Sequence, residues 1–420
     1  MGVPPRRYAV QRLLTGVAWI GISGLVGRGT GFGASIFLAQ RLGPSGFGVL
    51  SFGLSLAAIF SVCAGFGLDE ILVREVARHS KSSGSLFADT LILRLGAIPL
   101  GLAGVMVLVK VGGANPLLAV CLLAYAVLNS YLLSVCAAFR GQGRMRIQAL
   151  LIGTQVALIA IAAVIAAWLI ASLEAIAAGY FAATCLVTVV AFILLKGTRP
   201  SFGWRPAQWL HLAKTSAPFA VGVIGLLAFD RLALVSLAVV DGPQAAGWFG
   251  AVHTIVLALG GLATTACMVA FPMLARAAVR DPRQAAALVS DLVRVALAGG
   301  LLVTAVLYVL AQWLVPIMFG TTYGQSIAIL QLISFSIPSI FVTLVLITAC
   351  EAGDRQATSA RSVAAILPLG AAMCFGATLA WGYVGAAAAY SASYFGLAML
   401  LSVRWFLARP AVRQTLLSES

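Results

Sequence analysis

The stretch FLAQRLGPSGFGVLSFGLSLAAIFSVCAGFGLDEILVREVAR, residues 37–78, contains the alternation that decides the fold. A short Gly-Pro turn leads into an apolar run over 47–67, which ends at a segment carrying Arg74 and Arg78. A helix of about 20 apolar residues crosses the ~30 Å hydrocarbon core of a bilayer. Basic residues that flank such a span stay on the cytoplasmic side. The stretch therefore predicts one membrane span between an outer turn and a cytoplasmic segment.

The same alternation runs through the whole chain. Of the 27 Lys and Arg residues, 22 fall into alternate gaps between apolar stretches, whereas Arg41 and Lys110 alone fall into the other gaps. Arg28, Arg94 and Arg231 lie inside stretches. The positive-inside rule then predicts cytoplasmic termini and an even number of spans. The predicted spans are 13–39, 47–67, 86–110, 116–138, 149–172, 174–195, 215–240, 246–272, 291–318, 325–349, 359–381 and 384–406.

Composition excludes a soluble globular domain. The chain is 61% hydrophobic and 9% charged, with a mean hydropathy of +1.04. Its net charge of +15 is spread over seven predicted cytoplasmic segments instead of being gathered on one face. We therefore expect the basic residues to contact anionic membrane lipids and not nucleic acid.

The chain contains an internal repeat. A GPxxxG motif opens the second predicted span at 43–48 and the eighth at 242–247, an offset of 199 residues. Proline favours the first position of a helix, and glycine allows close helix packing. Turn and packing roles are assigned to Gly43, Pro44, Gly48, Gly242, Pro243 and Gly247.

The repeat predicts the domain organisation. Six spans form a lobe over 1–195, a cytoplasmic linker with an amphipathic segment covers 196–214, and six more spans with a short tail cover 215–420. An even number of spans per half gives both halves the same orientation. The predicted fold is thus an all-α polytopic membrane protein with about 12 transmembrane helices. Its two parallel six-helix lobes are expected to surround a central cavity.

Charged residues in mid-membrane are the candidates for function, because their burial in lipid is costly. Arg28 lies near the middle of the first span, and Asp230 and Arg231 lie at similar depth in the repeat-equivalent seventh span. We expect the arginines to bind a phosphate group bidentately. The alternative is an Arg28–Asp230 ion pair that only joins the lobes. Arg94 is a further cavity candidate, although it is close enough to the cytoplasm to reach lipid headgroups, and His253 is a candidate with Asp230 for proton or ion coupling.

Glycines surround Arg28 on the first span, with Gly27 and Gly31 among them. Repeated glycine permits bending and close packing, so this helix is predicted to flex during transport. The sequence contains no nucleotide-binding GxxxxGK[ST] motif, no HExxH motif and no nucleophile elbow. No catalytic residue, cofactor or metal is therefore predicted.

Three segments resemble a known family. The stretch over 37–78 is similar to the amino-terminal signature of the polysaccharide (O-antigen type) flippases of the multidrug/oligosaccharidyl-lipid/polysaccharide exporter superfamily. FDRLALVSLAVVDGPQAAGWFGA, residues 229–251, is similar to the second-lobe pattern of that family. MFGTTYGQSIAILQLISFSIP, residues 318–338, resembles its FGxxYxxAxxxLxIL segment, with Ser326 and Ile327 in place of the usual small residue.

The resemblance implies a V-shaped fold of two six-helix lobes in a bacterial cytoplasmic membrane. It implies a flippase that moves undecaprenyl-pyrophosphate-linked oligosaccharide to the outer leaflet, with polysaccharide polymerase and chain-length proteins as partners. The cationic cavity residues of the family match Arg28 and Arg231 by position, and Arg94 less closely.

Other functions remain open at this point. A cation-coupled multidrug exporter of the same superfamily is expected to carry more acidic residues inside its spans. A facilitator-type solute carrier usually carries a GxxxDRxGRR-like segment after its second span, where this chain has GLDEILVREVARHS. A membrane-embedded polysaccharide polymerase or ligase needs a large outer loop, whereas the predicted outer connections are short.

Overall fold

The computed structural model describes residues 6–78, 84–195, 203, 205–353 and 355–407. Over these ranges the chain forms α-helices and one short 3-10 turn, with no strand. The prediction of an all-α polytopic membrane protein is confirmed. The helices are α1 (Arg6–Gly65), α2 (Leu68–Arg78), α3 (Gly84–Leu95), α4 (Ile98–Lys110), α5 (Pro116–Gly141), α6 (Met145–Leu169), α7 (Leu173–Leu194), α8 (Pro206–Val240), α9 (Pro243–Arg280), α10 (Pro282–Phe319), α11 (Gln325–Ser334), α12 (Ser336–Ala352) and α13 (Gln356–Leu407).

Breaks within long helices explain how this list relates to the twelve predicted spans. In the described residues nine helical segments are long and apolar enough to cross a membrane, one of them α3 with α4, and the bent pair α11–α12 forms a tenth. Two of the nine, α1 and α13, contain non-helical residues, at Gly43 in α1 and at Trp381 and Gly382 in α13. Dividing α1 and α13 at these breaks gives twelve segments, as predicted.

The two GPxxxG turns share one backbone conformation. Gly43 has φ 66° and ψ 176°, and Gly242 has φ 84° and ψ −177°. This region is essentially restricted to glycine. The following residue, Pro44 or Pro243, lies at the start of the next helical segment, where a missing N–H costs nothing. The last glycine of each motif, Gly48 or Gly247, is buried.

A polar contact compensates the break between α11 and α12, which are bent by 41°. Pro338 has no N–H to donate to the carbonyl of Ser334, four residues earlier. The Thr304 hydroxyl of α10 donates to that carbonyl instead, at 2.8 Å. The Ser391 hydroxyl of α13 donates to the carbonyl of Leu332 at 2.7 Å. Side-chain hydroxyls thus satisfy the backbone where a span is interrupted in an apolar medium.

The chain divides into two compact units, Met1–Ala220 and Val221–Ser420. The boundary falls inside α8, because this helix begins at Pro206 and continues to Val240 without interruption. Much of the predicted linker at 196–214 lies outside the described residues, and its last nine residues form the first turns of α8. The six-plus-six division at this linker and the central cavity stay predictions.

Candidate functional site

Asp230 is the centre of a partly buried polar cluster in the second unit. Its Oδ1 accepts hydrogen bonds from the hydroxyls of Tyr390 and Tyr394, each at 3.0 Å. His253 Nε2 lies 3.4 Å from the same oxygen, and Arg231 Nε lies 3.5 Å from Oδ2. We call Asp230, Arg231, His253, Tyr390 and Tyr394 the Asp230 cluster.

Three helices hold the Asp230 cluster at mid-span. Asp230 lies ten residues before the end of α8, and His253 ten residues after the start of α9. Tyr390 lies eight residues after the break at Gly382. At 1.5 Å per residue these separations are roughly 12–15 Å, about half of a ~30 Å hydrocarbon core.

Aromatic packing fixes the side chains around the carboxylate. Phe249, one turn before His253 on α9, stacks on the imidazole with ring centroids 5.4 Å apart. Tyr390 and Tyr394 are one turn apart on α13, with ring centroids 5.0 Å apart. The Tyr390 hydroxyl also lies 3.2 Å from His253 Nε2, so the two groups share a hydrogen bond. A proton therefore has a continuous path of hydrogen-bonded atoms from His253 through Tyr390 to Asp230.

The cluster brings together three residues that the sequence singled out, and it adds two that sequence reasoning missed. Asp230, Arg231 and His253 were candidates because each carries a polar group in mid-span. Tyr390 and Tyr394 were missed because tyrosine is an ordinary residue in membrane helices. Their spacing of one helical turn was the available signal, since it directs both hydroxyls to the same side of α13.

Arg94 lies in a different environment, in the first unit. Its side chain is 1% exposed, and its Nη2 donates to Asp69 Oδ1 at 2.6 Å. The Ser134 hydroxyl of α5 donates to the same oxygen at 3.0 Å. This pair, in which Arg94 is buried and Asp69 is partly exposed, connects α3 to the short amphipathic helix α2. The predicted role of Arg94 in substrate binding stays a prediction, and the observed geometry assigns it a structural contact.

Arg28 lies half-buried on α1, in the part of the helix that packs against α6. A Cβ on Gly27 would lie 3.6 Å from the Val156 side chain, and one on Gly31 would lie 3.8 Å from it. The helix α1 thus packs on α6 at the level of Arg28, and a Cβ at either glycine would make ordinary van der Waals contact. The predicted pairing of Arg28 with Asp230 would join the two units and stays a prediction, as does the flexing of α1.

Metal ligation has no support among the residues that the structure describes. There, no group of three or more His, Cys, Asp or Glu side chains lies close enough together to hold a metal ion.

The fold and the mid-span charges define a class. This is a multi-pass membrane protein with ionisable groups held inside its helical units, as transport proteins have. The chain belongs to the family described as Polysaccharide biosynthesis protein, whose model matches residues 13–278. The family resemblance seen in the sequence is thereby confirmed.

Solved structures share the fold at low sequence identity. An inward-facing multidrug resistance MATE family transporter of the MOP superfamily has a TM-score of 0.72 and 13% identity, covering 92% of this chain and 95% of that one. The lipid II flippase MurJ in an inward closed conformation has a TM-score of 0.74 and 12% identity, covering 92% and 87%. The Vibrio cholerae MATE transporter VcmN in its bent form has a TM-score of 0.61 and 15% identity, covering 95% and 97%. No curated protein matches the chain in sequence.

Family and fold together show a multi-pass membrane protein of the Polysaccharide biosynthesis protein family, with a fold shared by a MATE transporter of the MOP superfamily and by the lipid II flippase MurJ. The prediction of a polytopic membrane protein of this fold is confirmed, and its transport activity stays a prediction.

Proposed function

We propose that this protein is a flippase for undecaprenyl-pyrophosphate-linked oligosaccharide repeat units. It moves them from the cytoplasmic to the outer leaflet by alternating access of two lobes. The observation that carries the proposal is the partly buried Asp230 cluster at mid-span, in a chain of the Polysaccharide biosynthesis protein family. A charged headgroup cannot cross hydrocarbon alone, so a protein that carries it needs ionisable groups at that depth.

Arg28 and Arg231 are the proposed ligands of the pyrophosphate. A guanidinium presents planar pairs of N–H donors that match phosphate oxygens. Asp230 holds Arg231 by a contact of 3.5 Å, and release of that contact would free the guanidinium for substrate. Arg94 is the weakest of the three proposed pyrophosphate ligands, because its side chain is buried and already paired with Asp69.

Asp230 and His253 are the proposed coupling site. A carboxylate that is bonded to two hydroxyls and lies beside an imidazole can exchange a proton or ion with little rearrangement. Protonation of Asp230 would weaken its hold on Arg231 and thereby connect coupling to substrate binding.

The proposed setting follows from the function. The protein would lie in the bacterial cytoplasmic membrane with both termini in the cytoplasm. It would supply O-antigen, capsule or exopolysaccharide synthesis and would work beside a polysaccharide polymerase and chain-length proteins. Membrane lipids would contact the basic cytoplasmic segments.

A reconstitution experiment tests the proposal. Proteoliposomes containing undecaprenyl-pyrophosphate-linked oligosaccharide are treated from outside with a glycosidase that cannot cross the membrane. We expect the purified protein to expose the inner-leaflet glycan to the enzyme, whereas protein-free liposomes keep it protected. Continued protection would overturn the proposal. Ethidium transport by the same vesicles would then favour the multidrug exporter, and lengthening of the glycan would favour the polymerase.

A further inference from the structure

The first unit contains a second mid-span polar cluster, made only of neutral side chains. Asn129 Nδ2 of α5 donates to Ser61 Oγ of α1 at 3.0 Å. Gln155 Nε2 of α6 donates to Asn129 Oδ1 at 3.0 Å and to Thr184 Oγ1 of α7 at 3.3 Å. The cluster connects four helices of the unit.

A pair of tyrosines accompanies these amides. Tyr125 lies one turn before Asn129 on α5, and Tyr180 lies one turn before Thr184 on α7. Their rings meet edge to face, with centroids 5.4 Å apart. Both rings remain partly exposed, whereas Gln155 and Thr184 are buried. We call Ser61, Tyr125, Asn129, Gln155, Tyr180 and Thr184 the amide cluster.

The predicted six-plus-six division pairs α7, the sixth span, with the last part of α13, the twelfth span, at an offset that differs from the 199 residues of the GPxxxG motifs. Tyr180 and Thr184 on α7 lie 210 residues before Tyr390 and Tyr394 on α13. An Ala-Ala pair precedes the tyrosine by two residues in both halves, at 177–178 and at 387–388. The same helix position therefore supports a charged cluster in one unit and a neutral cluster in the other.

We propose that the amide cluster is the subsite for the sugar next to the pyrophosphate of the lipid-linked substrate. This proposal rests on the proposed function and names the part of the substrate that the first unit recognises. Sugar hydroxyls both donate and accept hydrogen bonds, and the amide and hydroxyl groups of the cluster do the same. A partly exposed tyrosine ring adds an apolar face beside a hydroxyl, which suits the C–H faces of a pyranose.

The position of the cluster agrees with the covalent structure of the substrate. Gln155 precedes Val156, the residue against which Gly27 and Gly31 pack, so it lies at the level of Arg28. In the proposed function Arg28 binds the pyrophosphate, to which the first sugar is directly bonded. A sugar subsite is then expected near the level of Arg28, and the amide cluster supplies neutral partners at that level.

A simpler role for the amide cluster is packing, since hydrogen bonds between amides hold membrane helices together. Affinity for two probes that differ only in the sugar separates the roles. The probes are undecaprenyl pyrophosphate and undecaprenyl-pyrophosphate-linked N-acetylglucosamine, and their dissociation constants are measured in nanodiscs by native mass spectrometry. A packing role predicts the same ratio of affinities in every variant.

For the native protein we expect the sugar-bearing probe to bind roughly tenfold tighter, as one or two net hydrogen bonds imply. The double substitution Tyr125→Phe/Tyr180→Phe keeps both rings. It should bring the ratio of the two affinities close to one without changing the affinity for undecaprenyl pyrophosphate. Gln155→Met should do the same. Tyr131→Phe is the matched control, because the Tyr131 hydroxyl donates to the Leu91 carbonyl at 3.2 Å and belongs to no cluster.

Each outcome decides between the proposals. A ratio unchanged in the tyrosine double variant overturns the sugar subsite, and so does an equal loss of affinity for both probes. Equal binding of the two probes by the native protein also overturns it and leaves the flippase proposal intact. Native protein that binds neither probe contradicts the flippase proposal itself, and the sugar subsite fails with it. If Gln155→Met does not fold, the tyrosine double variant still decides, since it removes only two hydroxyls.

Discussion

At the residue scale, Asp230 illustrates how a membrane protein accommodates a carboxylate in mid-span. Four neighbouring groups face it: two phenols, an imidazole and a guanidinium. Each of them can present a proton or a positive charge to the carboxylate. An isolated carboxylate in an apolar medium would cost several kcal/mol, and hydrogen-bonded partners offset that cost.

Removal of one phenol should therefore destabilise the second unit. Tyr394→Phe deletes a hydrogen bond to a charged group, and we expect a loss of about 1–3 kcal/mol of unfolding free energy. Thermal unfolding in detergent measures the change. Tyr308→Phe is the control, since the Tyr308 side chain is 47% exposed and lies outside the cluster. Equal stability of the two variants would contradict the role given to Tyr394.

Arg28 gives the sharpest functional prediction. Arg28→Ala should leave insertion and abundance nearly intact but lower the rate of glycan exposure in proteoliposomes roughly tenfold or more, as loss of a charge-assisted contact implies. Arg28→Lys should restore little, because an ammonium lacks the two-donor fork. Arg41→Ala is the control, since Arg41 lies next to the predicted outer turn at Gly43.

The alternative role of Arg28, a structural ion pair with Asp230, predicts different results. Full activity of Arg28→Ala at native protein levels would remove this residue from the transport site. If Arg28→Ala instead lost protein and Arg28→Ala/Asp230→Ala recovered it, the structural ion pair would be the better explanation.

At the element scale, one glycine sets the distance between two helices. A Cβ on Gly300 of α10 would lie 2.5 Å from the Cα of Pro338 in α12, which is backbone and cannot rotate away. A Cβ on the neighbouring Gly299 would meet nothing within 4 Å. The two positions therefore form a matched pair on one helix.

We expect Gly300→Ala to separate α10 from α12 and to lower the stability by about 1–3 kcal/mol, as overpacking does. Gly299→Ala should be neutral or slightly stabilising, because alanine is the better helix former by roughly 0.5–1 kcal/mol. Melting temperatures of the two variants in the same detergent provide the test. A lower value for Gly299→Ala than for Gly300→Ala would contradict the packing.

The helices were largely predictable from the sequence, and so were the breaks at Gly43 and Gly382, which fall between predicted spans, whereas the break between α3 and α4 was not predicted. Apolar length and flanking arginines predict spans such as 116–138, observed as Pro116–Gly141. The division of the span 86–110 into α3 and α4 was not predicted, because its hydropathy is continuous, although Gly96 and Pro99 mark the break. Likewise the contact of Arg94 with Asp69 depends on the position of α2, which no periodicity specifies.

The charged half of the Asp230 cluster was predictable and the neutral half was not. A mid-span Asp or Arg is conspicuous because of its cost. A tyrosine is inexpensive there, so its role emerges only when another helix brings a carboxylate to its hydroxyl.

At the scale of the whole molecule, the predicted topology can be tested directly. A phosphatase and fluorescent-protein reporter pair, fused at successive positions, should report an alternating pattern along the chain. A cytoplasmic signal at Gly242 would break the six-plus-six repeat. We expect extracytoplasmic signals at Gly113, Gly242 and Thr322, and cytoplasmic signals at Ser83, Arg144, Ser201, Asp281 and Arg355.

The glycine turns carry a consequence that concerns handedness. The torsion angles at Gly43, φ 66° and ψ 176°, are the mirror image of ordinary extended backbone. An L-residue with a side chain is strained in this conformation, whereas a D-residue adopts it without strain. Semisynthetic protein with D-alanine at position 43 should therefore keep the native melting temperature, whereas L-alanine should lower it. The corresponding angles at Gly242, 84° and −177°, imply that a D-residue is also tolerated at this second turn and an L-residue is not.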